Sequence, residues 1–146
     1  RRRLTVVVFT NLEHPAGSDP VGLAMGVAGR LEPALALAAL APLQPPPDPA
    51  LARRLRSDYE DFLTGQATLE RYAPALALPA WEGAPGLAGR LPRLGELQAF
   101  EVLGDTPLDG ERTLLCRARH ESGTIYWRVS LDPRGERITR LVWWHV

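Results

Sequence analysis

The chain has 146 residues, 45% of them apolar, enough for one ordinary domain, or for a domain of about a hundred residues and a remnant of another. All 17 basic residues are arginine, which excludes a phosphate-loop lysine, a Schiff-base lysine and a Ser-x-x-Lys nucleophile within these residues. The 17 acidic residues balance them, leaving no net field for nucleic acid or an anionic membrane surface, and the sole Cys116 excludes an intrachain disulfide or a cysteine-based metal site.

The first element is Leu4–Phe9, an apolar, β-branched run of the kind buried on both faces of a sheet. No initiator Met precedes it, so it reads as the middle of a longer protein. Its partner strands are expected either upstream or at the edge of the sheet that follows. Asn11–Pro20 is turn-rich, with Asp19-Pro20 as cap and first-turn proline for a helix expected over Val21–Leu40. Leu23, Val27, Leu31 and Leu35 give that helix a stripe, and Gly22, Gly26 and Gly29 would let it approach a neighbouring backbone. The apolar stretch Leu31–Leu43 is short for a membrane span and is interrupted by Glu32 and Pro33, so no span is expected. Pro42–Pro49 reads as a semi-rigid polyproline linker.

Pro49–Phe62 has the pattern of a strong helix, with Leu51, Leu55, Tyr59 and Phe62 on one face and Arg53, Arg54, Asp58 and Asp61 on others. Gly65 closes it, one further turn is expected over Thr68–Tyr72, and a short helix is weakly signalled around Trp81–Leu91. From Leu94 the period becomes two, predicting strands near Leu97–Leu103, Arg112–Glu121, Thr124–Asp132 and Arg137–His145. The turns between them centre on Asp109-Gly110, Ser122-Gly123 and Pro133-Arg134-Gly135. The expected class is therefore α+β, with helices packed on a curved antiparallel sheet and preceded by an orphan strand-helix unit.

Two stretches, Gly95-Glu96-Leu97-Gln98-Ala99-Phe100-Glu101-Val102-Leu103-Gly104 and Gly123-Thr124-Ile125-Tyr126-Trp127-Arg128-Val129-Ser130-Leu131-Asp132, resemble the NTF2-like (SnoaL-like) cone domain. That domain follows the catalytic domain in some bacterial serine hydrolases of the β-lactamase and penicillin-binding-protein superfamily. Leu4–Leu12 resembles the last strand of that catalytic fold, and Val21–Leu40 its closing helix. The resemblance implies residues 1–41 as a terminal strand and helix, 42–49 as linker and 50–146 as the accessory domain. It also implies a periplasmic or extracellular location if the parent is exported. The family's Ser-x-x-Lys, Tyr-x-Asn-type and Lys-Thr-Gly-type motifs have no match here, so no catalytic residue and no cofactor is carried over.

The residues themselves offer no nucleophile elbow, and His14, His120 and His145 lack metal-ligand spacing. The sheet face carrying Arg117, Arg119, Tyr126 and Arg128, with Arg140 joining, is a candidate for carboxylate or phosphate, or else a solvated face paired with Glu101, Glu121 and Glu136. Trp127, Trp143 and Trp144 supply large apolar area for a core, a pocket or a partner surface, and Trp143 and Trp144 must face opposite ways. Two functions follow. One is a non-catalytic accessory region that packs on a parent catalytic domain or a second copy. The other is a stand-alone domain binding a small apolar ligand, or an isomerase/cyclase-like one.

Overall fold

The computed structural model describes residues 5–8, 20–32, 36, 39–44, 48–76, 94–108 and 110–145. Helix α1 spans Pro20–Leu31, α2 spans Pro49–Thr64, and a 3-10 turn covers Leu69–Arg71. Strands β1 (Leu97–Leu108), β2 (Glu111–His120), β3 (Gly123–Leu131) and β4 (Ile138–His145) follow. They form one antiparallel meander in the order β1-β2-β3-β4. The fold is α+β, with helices on an open curved sheet. Register shifts between Leu97 and Ala99, between Val102 and Gly104, and between Ser130 and Leu131 bend it.

Local chemistry explains α2. Asp48 accepts a hydrogen bond from the Ala50 amide at 2.9 Å, and Pro49 occupies the first turn, where its missing N–H is harmless. Gly65 ends the helix in the left-handed region at φ 71°, a conformation that costs glycine little. Leu55, Tyr59, Phe62 and Leu63 then face the sheet and are buried with Val102, Leu114, Cys116, Ala118, Ile125, Trp127 and Val129. Asp58, expected on the polar side, is also buried, with 3% of its surface exposed.

Helix α1 departs from expectation in length and in facing. It ends at Leu31 rather than Leu40, because Pro33 cannot donate and disfavours helix in the residue before it. The chain then doubles back: a Cβ on Gly29 would lie 2.9 Å from the Ala36 Cα, a contact that only glycine permits. Met25 and Leu40 pack on the outer face of the sheet against Leu103, Tyr126 and Trp144. The apolar stripe, whose spacing suits burial against a sheet, is instead open to solvent, Leu23 at 56%, Val27 at 38% and Leu31 at 66%.

Thr5–Val8, the described part of the expected opening strand, joins no ladder; Val6 and Val8 are half-buried and Val7 is exposed. The outer edge of β1 is met instead by Leu43, within the proline-rich stretch, whose amide donates to the Val102 carbonyl at 2.9 Å. The helix signalled around Trp81–Leu91 lies outside the described residues. No helix among the described residues is long and apolar enough to cross a membrane.

Candidate functional site

Antiparallel register decides which side chains share a face. Pairing Arg117 with Tyr126, Leu115 with Arg128, Tyr126 with Trp144, and Ser130 with Arg140 puts Arg117, Arg119, Tyr126, Arg128, Arg140 and Trp144 on the outer face. Trp127 and Trp143 belong to the inner face and its core. The eight residues singled out from the sequence are thus divided, six outside and two inside. The alternation separates Trp143 from Trp144, as two consecutive strand residues require.

On the outer face Glu101 takes Arg117 Nε at 2.9 Å and stands 3.4 Å from Arg119 Nε. Arg117 also donates to the Leu40 carbonyl at 3.2 Å, tying the sheet to the segment after α1. Its guanidinium is held above its usual value by the Glu101 carboxylate and the Tyr126 hydroxyl, which outweigh the opposing burial. Arg140 lies 3.4 Å from Glu111. Glu121 and Glu136 serve elsewhere: Glu121 accepts from the Glu96 amide at 3.3 Å, and the Glu136 amide donates to Asp132. The Tyr126 and Trp144 rings stack, centroids 6.1 Å apart and planes 15° apart.

On the inner face, His120, the last residue of β2, is 8% exposed. Its Nδ1 stands 3.1 Å from the Gly95 carbonyl and its Nε2 2.7 Å from the Tyr59 hydroxyl. A carbonyl only accepts, so in the neutral ring Nδ1 carries the proton and the Tyr59 hydroxyl donates to Nε2. Burial pushes the Tyr59 phenol above its ordinary range, keeping it a donor. Tyr59 also meets Trp127 at 5.5 Å and Phe100 at 5.5 Å between ring centroids. Trp127 Nε1 and Trp144 Nε1 are buried without hydrogen-bond partners among the described residues.

A second buried polar group went unread in the sequence. Asp58 lies 3.2 Å from Arg54 Nε and 3.8 Å from Arg71 Nε, and Arg54 also donates to the Gly135 carbonyl. Burial raises the Asp58 carboxyl above its ordinary value against the pull of Arg54 and Arg71. The Arg54/Asp58 spacing of four along a helix was the available signal. The contact with Gly135, remote in sequence, had none.

An open groove of about 410 Å³ lies between the β1–β2 hairpin and the β3–β4 turn, with Pro107, Arg112, Asp132 and Arg134 in its wall. Its best-placed charges are already committed. Arg112 forks onto Asp105 at 3.0 and 2.6 Å, and Asp132 accepts the Glu136 amide at 2.7 Å. That bond and the neighbouring amides hold the Asp132 carboxyl below its usual value. Among the described residues no group of three or more His, Cys, Asp or Glu side chains is placed to hold a metal ion. No protein-family model, no curated protein and no solved structure matches this chain.

Proposed function

We propose that this chain is a non-catalytic packing module, the NTF2-like accessory region of a β-lactamase-like serine hydrolase, acting through contact with its catalytic domain. The observation that carries the reading is the apolar stripe of α1. Leu23, Val27 and Leu31 are spaced by one helical turn and stand 56%, 38% and 66% exposed, on a helix whose Met25 already packs on the sheet. A row of large apolar side chains left in water on an anchored helix is what an interface presents before its partner covers it. Val7, 64% exposed in the β-branched run before it, adds to the same requirement.

The inner face supports packing over ligand capture. Tyr59, Phe62, Phe100 and Trp127 fill the space between α2 and the sheet, and the His120 ring has partners at both nitrogens. A binding pocket needs space and convergent polar groups free to meet a ligand.

The test is made on the natural polypeptide, by peptide mapping for a Ser-x-x-Lys-bearing segment upstream of Arg1 and by hydrogen exchange across α1. The expected result is such a segment, with slow exchange over residues 23–31 that accelerates in Leu23→Ser/Leu31→Ser. A polypeptide lacking that segment removes the hydrolase; exchange over α1 that ignores the substitutions removes the docking.

A further inference from the structure

We infer that the outer face of the sheet docks an acidic peptide segment of another protein, whose carboxylate pairs with Arg128 between Leu115 and Val142. Four strand guanidinia, Arg117, Arg119, Arg128 and Arg140, share this face with two strand carboxylates, Glu101 and Glu111. The surplus positive charge sits in a molecule whose formal net charge is zero. Glu101 serves both Arg117 and Arg119, and Glu111 serves Arg140.

Arg128 is the exception. It is half-buried, its cross-strand neighbours are the apolar Leu115 and Val142, and no acidic side chain among the described residues pairs with it. A half-buried guanidinium gives up part of its hydration, and a carboxylate is its natural complement in planar, forked geometry. The face already shows the pattern on β1, where Glu101 lies directly across from Arg117 and bonds to it. Leu115 and Val142 would flank a bound carboxylate with apolar surface, which excludes water and strengthens the pair. The exposed Arg119 and Arg140, each 53% open at the side chain, would steer an acidic segment toward it.

Leu115 and Val142 also pack on the Leu103, Tyr126 and Trp144 cluster that Met25 and Leu40 join, so the peptide would lie beside that cover; it uses none of the α1 stripe and stands apart from the function proposed above. The test titrates the full chain with a hexaglutamate peptide, following backbone amide shifts at low ionic strength. Saturable shifts centred on Leu115, Arg128 and Val142 are expected, with affinity at least about tenfold weaker in Arg128→Gln. Arg56→Gln, which breaks the remote exposed Arg56–Glu60 pair, is expected to leave the affinity unchanged. If Arg128→Gln disturbs the fold, the exposed Arg119→Gln carries the same comparison. Titration without saturation, or equal weakening by Arg56→Gln, overturns the inference. Tighter binding of a hexathymidylate to the same residues also overturns it, by making the partner a phosphate polymer.

Discussion

A buried polar atom stabilises only when its partner is in place, and Tyr59 and His120 are each other's partner inside the core. Tyr59→Phe keeps the ring packed against Trp127 and Phe100 but leaves His120 Nε2 without a donor. The expected cost is about 1–3 kcal/mol in urea unfolding, with the secondary structure unchanged; no measurable loss would mean that water reaches the ring and that the core is less tightly closed than the ring contacts imply. Cys116 gives a second reading of the same closure. Its side chain is fully buried beside Trp127 across the β2–β3 ladder, and burial pushes its thiol up to about 12. A thiol so placed reacts only when the sheet opens. Alkylation is therefore expected to proceed at the rate of global unfolding and to accelerate with urea, and rapid labelling of the native protein would show a local opening through β2.

Helix α2 is held at its ends by local chemistry and at its middle by tertiary chemistry, and the two differ in how well the sequence discloses them. Asp48, Pro49 and Gly65 announce the helix because caps act within four residues, and the four strands announce themselves because alternation and glycine turns are equally local. The outer arginines were readable for the same reason, since parity alone assigns them a face. Asp58 was not, because the Arg54 that pairs with it is also bonded to the carbonyl of Gly135, remote in sequence. The stripe on α1 misled because spacing gives a face but not which face is covered, and Met25, on another side of the helix, took the sheet. The buried carboxylate has a testable sign. Its pKa is raised chiefly by burial, so the native state holds its proton more tightly than the unfolded chain, and its contribution to stability falls as pH rises through the window above the ordinary carboxylate value. Asp58→Asn lacks that titration. The variant's stability relative to the wild type is expected to improve from about pH 3 to about pH 7 in paired urea melts. A difference moving the other way would mean that the ion pairs with Arg54 and Arg71 outweigh the desolvation.

At the scale of the molecule, the sheet has apolar surface on both faces, and different parts of the chain cover them. The inner face is closed by α2 and the segment after it, through Ala67, Tyr72 and Leu76. The outer face has a smaller cluster, Leu103, Tyr126 and Trp144, closed by Met25 and Leu40. Met25 and Leu40 thus form a lid on the back of the sheet, with Arg117 bonded to the Leu40 carbonyl. Fully burying a Met or Leu side chain stabilises by about 1.5–3 kcal/mol, and the half-buried Met25 and Leu40 each supply part of that, against a domain's net stability of about 5–15 kcal/mol. A fragment of residues 42–146 is thus expected to fold with a lowered melting temperature and to bind a hydrophobic dye at the uncovered Tyr126–Trp144 surface, whereas the full chain with Met25→Ser falls between the two. If the fragment melts with the full chain and leaves the dye free, the leading segment contributes no cover, and its apolar residues serve the partner on α1 alone.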